Sequence, residues 1–392
     1  MVSLRWGGLA ARAVHFMSIH PGTQTEESLL LQHSLQAAQA LQGWYNAALG
    51  TWDTTGWWNS ANCLTVLADW ASHVGPATAG LDVAGIVSNT FDKAQQTMPS
   101  TQKTLCANGL IKSTYIFHNV NKRGHSEFLN DYYDDEGWWA LALIRAWDVT
   151  RQDKYLNMAE RIFADMHEGT DATCGGGIWW SKRHDYKNAI ANELYLSVAA
   201  SLANRVADGK QQYIQMAKDQ WTWFKGSGMI NQDNLINDGL GIAPDGRCVN
   251  NGFPTWSYNQ GVILGGLVEL SKATGDRSYL EEAVKIATAA IARLSDENGI
   301  MHEVDRCEPN CGDDGSQFKG IFVRNLGYLQ AAVPRREFWT AIRKNAYSIW
   351  AKDRNERNQL GIAWTGPPEL GSGPNASTHS SAMDVLVAAL VG

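Results

Sequence analysis

Residues 188–205, NAIANELYLSVAASLANR, form a stretch that is apolar on most faces of a helix. A helix that is hydrophobic all round belongs in the interior of a protein. Five further stretches rich in Ala, Leu, Gly and Trp begin near residues 57, 135, 258, 318 and 377, and each gap between them holds an amphipathic helix and a loop. Strand-like alternation is nearly absent. The sequence therefore predicts an all-α (α/α)6 toroid, or barrel, of six inner and six outer helices.

The twelve predicted helices alternate between apolar and amphipathic along the chain. They are Glu27–Ala48, Trp57–Ser72, Leu81–Thr97, Asp135–Val149, Lys154–His167, Asn188–Arg205, Lys210–Lys225, Tyr258–Lys272, Arg277–Leu294, Phe318–Ala332, Arg336–Asp353 and Ser377–Leu390. An open helical array is the structural alternative. The spacing of the apolar helices is too uneven for an ordinary solenoid repeat.

The composition indicates a folded protein and excludes several classes of partner. Of the 392 residues, 44% are hydrophobic and 19% are charged, which excludes disorder as the overall state. A net charge of −7 is a poor match for nucleic acid or an anionic membrane surface. No apolar stretch reaches the roughly 18 residues that a membrane span needs. We expect a monomer with no nucleic-acid partner and no transmembrane segment.

The chain is predicted to divide into residues 1–24, a leader or a disordered N-terminal segment, and residues 25–392, a single (α/α)6 catalytic domain. The first 25 residues contain Arg5 and Arg12 but no acid, and Leu9–Met17 is too short and too polar for a good secretory core. Six Cys without a CxxC pair favour disulfides over a zinc site, with 15 possible connectivities. Together with the glycosylation sequon at residues 375–377, they favour an extracellular or cell-wall location.

The strongest candidate for chemistry is residues 130–140, NDYYDDEGWWA, at the start of a predicted inner helix. Helix capping accounts for one acid there, but this segment has four acids within six residues. Retaining glycosidases need two carboxyl groups about 5–5.5 Å apart. Neighbouring Cα atoms are about 3.8 Å apart, so Asp134 and Asp135 can reach that separation. Since two close carboxylates cannot both ionise cheaply, the pair can supply a nucleophile and an acid.

Aromatic and amide side chains recur at the starts of the other inner helices and in the loop around CGGGIWW, residues 174–180. Indole faces pack on sugar rings and amides bind hydroxyls, although each residue alone could equally fill the core or cap a helix. The candidate substrate-binding residues are Trp57, Trp58, Asn62, Tyr133, Trp138, Trp139, Trp179, Trp180, Tyr186, Lys187, Asn188, Asn192, Tyr258, Asn259 and Gln260. Lys319 and Arg324, on another inner helix, are candidates for holding an acid in place.

Motifs for other kinds of site are missing from the sequence. It contains no HExxH, no GxSxG and no kinase set, and the three glycines at 175–177 lack the spacing of a phosphate-binding loop. We therefore expect no cofactor and no metal.

Four motifs in combination resemble glycoside hydrolase family 76, the endo-α-1,6-mannanases of fungi and bacteria. They are YYDDEGWWALA, CGGGIWW followed by YKNAIANELYL, TWSYNQGVILGGL and FKGIFVRNL. The resemblance runs over most of residues 27–390. It implies an (α/α)6 barrel that hydrolyses α-1,6-linked mannan or mannose oligosaccharides with retention. It also implies that Asp134 is the nucleophile and Asp135 the general acid/base.

Three other functions are alternatives to this one. The family includes fungal wall proteins that resemble transglycosidases acting on the mannose core of GPI anchors, and these usually carry a hydrophobic attachment tail. The chain stops at Val391-Gly392 after its last predicted helix, which favours a free hydrolase. A non-catalytic mannan-binding homologue would bind without cleaving. A terpenoid cyclase is disfavoured, because Asn and Lys line the starts of these helices.

Overall fold

A computed structural model describes residues 25–75, 80–96, 99–106, 111–117 and 127–391. The predicted leader, residues 1–24, lies outside the described residues. Most of the described chain is helical, and the strands are short. Among the described helices, none has the length and apolar character that a membrane span needs.

The helices and strands are numbered in chain order. The helices are α1 (Glu26–Leu41), α2 (Trp57–Val74), α3 (Val83–Ala94), α4 (Tyr133–Thr150), α5 (Asp153–Glu168), α6 (Ala189–Ala203), α7 (Lys210–Gly226), α8 (Ser257–Thr274), α9 (Ser278–Leu294), α10 (Gly312–Gly315), α11 (Phe318–Ala332), α12 (Arg336–Lys352) and α13 (Ala376–Ala388). The strands are β1 (Tyr45–Asn46), β2 (Thr51–Trp52), β3 (Pro99–Leu105), β4 (Ile111–Phe117), β5 (Lys187–Asn188), β6 (Gly239–Ile242) and β7 (Cys248–Asn250).

Six helices close into an inner ring. α2 packs on α4, α4 on α6, α6 on α8, α8 on α11 and α11 on α13, and α13 returns to α2. α1, α3, α5, α7, α9 and α12 pack outside this ring. Every residue of α6 is buried, as the opening motif predicted, because the helix is enclosed on all sides. The predicted (α/α)6 toroid is confirmed.

Two glycines allow the inner helices to approach one another closely. A Cβ at Gly320 of α11 would overlap the backbone of Ser381 in α13. A Cβ at Gly261 of α8 would similarly overlap the backbone of Phe322 in α11. Small residues are therefore required where the backbones of these helices pass.

The first predicted helix, Glu27–Ala48, was too long at its C-terminal end. α1 ends at Leu41, and Tyr45–Asn46 pairs antiparallel with Thr51–Trp52. The side-chain oxygen of Asn46 accepts the amide hydrogens of Ala48 and Leu49. Such a local turn competes with continuation of the helix.

The hairpin of β3 and β4 was not predicted. Its register runs from Pro99↔Phe117 to Leu105↔Ile111. Seven of its fourteen strand residues are Ser, Thr or Lys, and Ser113 interrupts the apolar alternation of Ile111, Tyr115 and Phe117, so the hydrophobic period of two is weak in the sequence. The pairing between the strands and their contacts with the barrel define this element.

Two disulfides settle the open connectivity for four of the cysteines. Cys174 pairs with Cys248, and Cys307 pairs with Cys311. The first bond ties the glycine-rich loop after α5 to β7, across 74 residues of chain, and the second closes a separation of only four. Cys63 and Cys106 are free thiols.

Replacement of Gly320 by alanine should lower the free energy of unfolding by about 2 kcal/mol, because the added methyl group forces two helix backbones apart. The matched control is Gly226→Ala on the outer helix α7, where an added Cβ meets nothing within 4 Å. That change should leave stability unchanged or raise it by a few tenths of a kcal/mol. Urea unfolding of both variants measures the difference, and equal stability would contradict the close approach.

The two disulfides should differ in their effect on stability. The chain-entropy relation gives about 4 kcal/mol for the Cys174–Cys248 bond and about 2 kcal/mol for the Cys307–Cys311 bond. The double variants Cys174→Ser with Cys248→Ser and Cys307→Ser with Cys311→Ser can be compared by urea unfolding. A larger loss from the short loop would show that chain entropy does not set the order.

Candidate active site

The candidate site lies at one mouth of the ring, around the first turn of α4. Asp134 and Asp135 occupy this turn, and they are 5% and 0% exposed. Negative side chains are stabilised there by the unpaired amides and the dipole of the helix N-terminus. The residue before α4, Tyr132, forms an isolated bridge with Ser181 in the glycine-rich loop region. The predicted acid pair therefore lies next to the loop that joins α5 to α6.

One lysine contacts both acids. The ammonium of Lys103, on β3, donates to Asp134 Oδ2 at 2.9 Å and to Asp135 Oδ1 at 2.5 Å. Asp135 Oδ2 also accepts a hydrogen bond of 2.7 Å from the side-chain amide of Asn130. Because one nitrogen atom reaches both carboxylates, the contacting oxygens are no farther apart than the about 5–5.5 Å typical of retaining glycosidases. Lys103 was missed from the sequence because it lies 31 residues before Asp134 in an unpredicted hairpin.

The protonation states of this trio follow from burial and mutual charge. Burial raises the pKa of Asp135 to about 7, with Lys103 opposing the rise and Asp134 adding to it. Burial lowers the pKa of Lys103, but the carboxylates of Asp134, Asp135 and Asp314 outweigh that effect and raise it above its ordinary value. Lys103 is thus a buried cation, and Asp135 is poised to exchange a proton near neutrality.

Glu136 has a different environment from the two acids before it. Its Oε1 accepts the backbone N–H of Asn130 at 2.9 Å and pairs with Lys182 at 3.0 Å. Lys182 also pairs with Asp165 on α5 at 2.7 Å. Burial raises the pKa of Glu136 well above its usual value. These contacts give Glu136 a structural role in joining the segment before α4 to α5.

A third carboxylate, Asp314, lies near Lys103. It belongs to the short helix α10, and it accepts hydrogen bonds from Trp58 Nε1 at 3.0 Å and from Ser113 Oγ at 2.5 Å. Burial raises its pKa, whereas Lys103 lowers it. The sequence analysis missed Asp314, although Asp313-Asp314 precedes the inner helix α11 much as Asp134-Asp135 begins α4. That repeated position was the available signal.

A second buried acidic group lies near the pair. Tyr186 donates its hydroxyl hydrogen to Asp238 Oδ2 at 2.6 Å, and the Asn251 amide donates to the same hydroxyl oxygen at 2.8 Å. Burial raises the pKa of Asp238 to about 7, and Asp134 adds to the rise. Neither side-chain polar atom of the predicted residue Asn259 has a hydrogen-bond partner among the described residues. Asp238 was missed because it lies in a loop with no motif.

Several polar atoms in this region have no hydrogen-bond partner among the described residues. They are Oδ1 of Asp134, Oδ1 of Asp238, Nδ2 of Asn188 and both carboxylate oxygens of Glu193. Burial raises the pKa of Glu193, and the nearby Asp238 raises it further, so the two acids interact. Buried polar atoms normally have partners, so each of these atoms can still form a further hydrogen bond.

Three of the predicted aromatic residues lie near this group of acids. Trp58 hydrogen bonds to Asp314 and lies 5.5 Å, between ring centroids, from Trp138. Tyr258 stacks on Phe318 at 3.8 Å, and its pKa is raised by burial and by the nearby carboxylates. The Trp180 ring lies 5.8 Å from the Lys103 ammonium. Trp138 packs on Trp58 from one turn into α4.

The predicted amide residues mainly hold the loops in place. Asn192 exchanges hydrogen bonds with the backbone of Ile178, and Gln260 does the same with Ile236. Asn188 caps the N-terminus of α6. Asn62 accepts a hydrogen bond from Arg324. The first three side chains thus fix a helix start or the loop that crosses it, whereas the Asn62–Arg324 contact joins α2 to α11.

The remaining predicted residues make contacts away from the acid pair. Lys187 donates to Asp171 and to three backbone carbonyls of residues 173–177, and Trp179 also donates to Asp171. Trp57 packs on Trp139 in the core, with 5.4 Å between ring centroids. Tyr133 packs against Gly169. Lys187 and Trp179 therefore hold the glycine-rich loop in place through Asp171 and the loop carbonyls.

The two basic residues of α11 hold acids, as predicted. Lys319 pairs with Glu308 at 2.6 Å, and Arg324 pairs with Asp384 at 3.4 Å. Among the described residues, Cys307, Glu308 and Cys311 are the group whose possible metal-ligand atoms lie within 4.8 Å of one another. The two sulfur atoms are joined in a disulfide, so they offer no thiolate for a metal.

Comparisons with known proteins agree with this fold. The model of glycosyl hydrolase family 76 matches residues 31–392. Mannan endo-1,6-alpha-mannosidase DCW1 of Candida albicans is 29% identical over 59% of this chain and 55% of its own length. The corresponding enzyme DFG5 of the same organism is 28% identical over 71% of this chain and 59% of its own. The chain thus spans little more than half the length of these curated relatives.

Two solved structures show the same fold. The GH76A alpha-1,6-mannanase from Salegentibacter sp. HEL1_6 has a TM-score of 0.74 and 22% identity, covering 92% of this chain and 98% of that one. Dfg5 from Chaetomium thermophilum, in complex with glucosamine, has a TM-score of 0.74 and 17% identity, covering 94% and 91%. With the family match over nearly the whole chain, these findings lead to one conclusion: this chain belongs to glycosyl hydrolase family 76.

Proposed function

We propose that this chain is a retaining, endo-acting glycoside hydrolase that cleaves α-1,6-mannosidic linkages in mannan. The observation that carries the proposal is the buried pair Asp134 and Asp135, whose oxygens one ammonium contacts at 2.9 and 2.5 Å. That spacing suits direct attack by one carboxylate and proton transfer by the other. Family membership supports hydrolysis of a glycosidic bond.

The substrate class is proposed from relatives. The curated relatives DCW1 and DFG5 are named mannan endo-1,6-alpha-mannosidases. An inactive variant of the Salegentibacter mannanase, with two consecutive aspartates replaced by asparagine, was solved with α-1,6-mannotriose. Asp134 and Asp135 are likewise consecutive and begin an inner helix of the same fold.

The proposed reaction has two steps. Asp134 attacks the anomeric carbon while Asp135 protonates the departing glycosidic oxygen, giving a covalent glycosyl-enzyme. Asp135 then takes a proton from water, which attacks the anomeric carbon and releases Asp134. The environments fit these roles, because burial raises the pKa of Asp135 to about 7 and lets it carry a proton in mildly acidic solution.

We further propose that Asp238, Asp314 and Glu193 bind sugar hydroxyls, with Trp58, Trp180 and Tyr258 as apolar walls. Carboxylates and aromatic rings together suit a sugar, which offers hydroxyl donors on its edges and C–H groups on its faces. The other predicted binding residues would act by holding helix starts and loops in place. No residue in this set requires a cofactor or metal.

The setting of the enzyme is also a proposal. Residues 25–392 are proposed to act as a single catalytic domain, as a monomer, outside the cell or in the cell wall. The Cys174–Cys248 and Cys307–Cys311 disulfides support an oxidising compartment.

Transglycosylation is the second candidate function, in which an acceptor sugar takes the place of water. The observation that favours it is the burial of the acid pair, since exclusion of water from a glycosyl-enzyme lets another hydroxyl compete. Incubation with unbranched α-1,6-mannan, with and without an acceptor sugar, separates the two. Short mannose oligomers that do not depend on the acceptor support the hydrolase, whereas elongated acceptor conjugates support the transferase. Binding without any product would indicate a non-catalytic homologue.

Replacing Asp134 or Asp135 by asparagine should each lower kcat/KM on α-1,6-mannotetraose by at least about 10²–10⁴-fold, because the nucleophile or the proton donor is lost. Asp131→Asn is the matched control, since it removes an exposed carboxylate from the same segment and should keep near-full activity. Full activity in either of the first two variants would refute the assignment.

The pH profile should show Asp135 acting as an acid. A carboxyl group whose pKa is raised to about 7 is protonated below that pH, so kcat/KM should be sustained below about pH 7. Above it, kcat/KM should fall about tenfold per pH unit. Aryl α-mannosides with good leaving groups need no acid assistance, so their glycosylation step should lack this limb. A limb near pH 4 for both substrates would contradict the role of Asp135.

A further inference from the structure

The inward face of the β3–β4 hairpin lies on the mouth that holds the acid pair. The Lys103 backbone N–H donates to the Tyr132 hydroxyl at 2.9 Å, and its ammonium lies between Asp134 and Asp135. Its cross-strand partner, Ser113, donates to Asp314. The next pair on the same face of the hairpin, Leu105 and Ile111, packs on the rings of Tyr132, Trp180 and Tyr186.

The ammonium of Lys103 occupies the space that the reaction needs. A sugar carbon under attack must come within about 3–3.5 Å of the nucleophilic oxygen. The leaving oxygen must lie within about 2.6–3.2 Å of the acid. The Lys103 Nζ atom is already 2.9 Å from Asp134 and 2.5 Å from Asp135, so it stands where the anomeric carbon and the glycosidic oxygen belong.

The charge of Lys103 also opposes both proposed chemical roles. It neutralises the anion that has to attack, and it lowers the pKa of Asp135, which has to keep a proton. Steric and electrostatic effects therefore agree that the lysine-paired arrangement is inactive.

We infer that the β3–β4 hairpin is an autoinhibitory lid, in which Lys103 occupies the place of the scissile linkage and has to withdraw before a mannose chain binds. The inference rests on the proposed catalytic roles of Asp134 and Asp135. It identifies a closed state of this chain and the side chain that holds it closed.

The construction of the hairpin suits reversible opening. Its inward face, Lys103, Leu105, Ile111 and Ser113, is held by an ion pair, hydroxyl contacts and a small apolar patch. Its outward face, Gln102, Thr104, Lys112 and Thr114, is exposed to solvent. A two-stranded ribbon is only marginally stable by itself, so its position depends on the contacts of one face.

Those contacts can be exchanged for contacts with a sugar. An incoming chain with many hydroxyl groups offers donors to Asp134, Asp135 and Asp314, the carboxylates that Lys103 and Ser113 now engage. Substrate and lid therefore compete for the same acceptors, and the substrate's apparent affinity is its affinity for the open state multiplied by the fraction of open molecules.

The first test compares Lys103→Ala with Lys112→Ala, which removes an exposed lysine from the adjacent pair of the same hairpin. If about one molecule in ten is open, removing the Lys103 side chain should raise kcat/KM on α-1,6-mannotetraose about tenfold, whereas Lys112→Ala leaves it unchanged. A fall in kcat for Lys103→Ala with an unchanged Tm would overturn the lid and make Lys103 a positioning residue that stays in place during the reaction.

The second test needs neither turnover nor a variant. Pulsed acetylation of the native wild-type protein, followed by peptide mass spectrometry, compares three lysines. Lys112 is exposed, and Lys187 is fully buried with its ammonium bound to Asp171. A lid that opens should expose Lys103, which then reacts more slowly than Lys112 but at least about tenfold faster than Lys187. Reaction as slow as that of Lys187 would overturn the lid.

Because labelling is independent of catalysis, it decides the lid even where no variant cleaves mannan. Failure of the proposed function and failure of the lid therefore give different results.

Discussion

Burial of several carboxylates at one mouth of a closed helical ring is the constraint on which the rest of this structure depends. Asp134, Asp135, Asp238 and Asp314 all lose their hydration there, and burial raises the pKa of Asp135, Asp238 and Asp314. A cluster of this kind is tolerated only when hydrogen bonds, a cation or protons compensate for the lost water. Asn130, Tyr186, Trp58 and Lys103 supply that compensation here. The burial that makes these carboxylates unfavourable for folding also raises the pKa of Asp135 to about 7, a value suited to proton transfer.

The ring itself stays rigid enough to hold such a cluster because its loops are fixed to the helix starts. Asn192 and Gln260 each exchange two hydrogen bonds with a loop that crosses their helix, and Asn345 accepts the amide hydrogen of Met301 in the same manner. Lys187 fixes the glycine-rich loop through Asp171 and three carbonyls. Asn192, Gln260 and Lys187, which look like sugar-binding residues in the sequence, thus hold loops of the scaffold in place.

The hairpin lid adds a second state to this rigid site. A lysine paired with both acids stabilises the site without substrate, because it balances charge that would otherwise be buried and uncompensated. The same pairing must be given up when the sugar arrives. The contacts of Lys103 therefore stabilise the protein without substrate and at the same time block access of the substrate to the acids.

The sequence by itself determined the (α/α)6 ring and the acid pair, since apolar periodicity over long helices and two adjacent aspartates in a helix's first turn are local signals. It did not determine Lys103, Asp238 or Asp314 as members of the site. These residues lie in an unpredicted hairpin, a loop and a four-residue helix, and their side chains form hydrogen bonds with residues 31 to 256 positions away. Nor did the sequence show which of the two neighbours Trp57 and Trp58 lies near the acids. Adjacent helical residues point in different directions, and the structure shows that Trp58 contacts the acidic cluster whereas Trp57 packs in the core. Only the closing of the ring decided which side chains meet, because ring closure brings distant segments of the chain to one mouth.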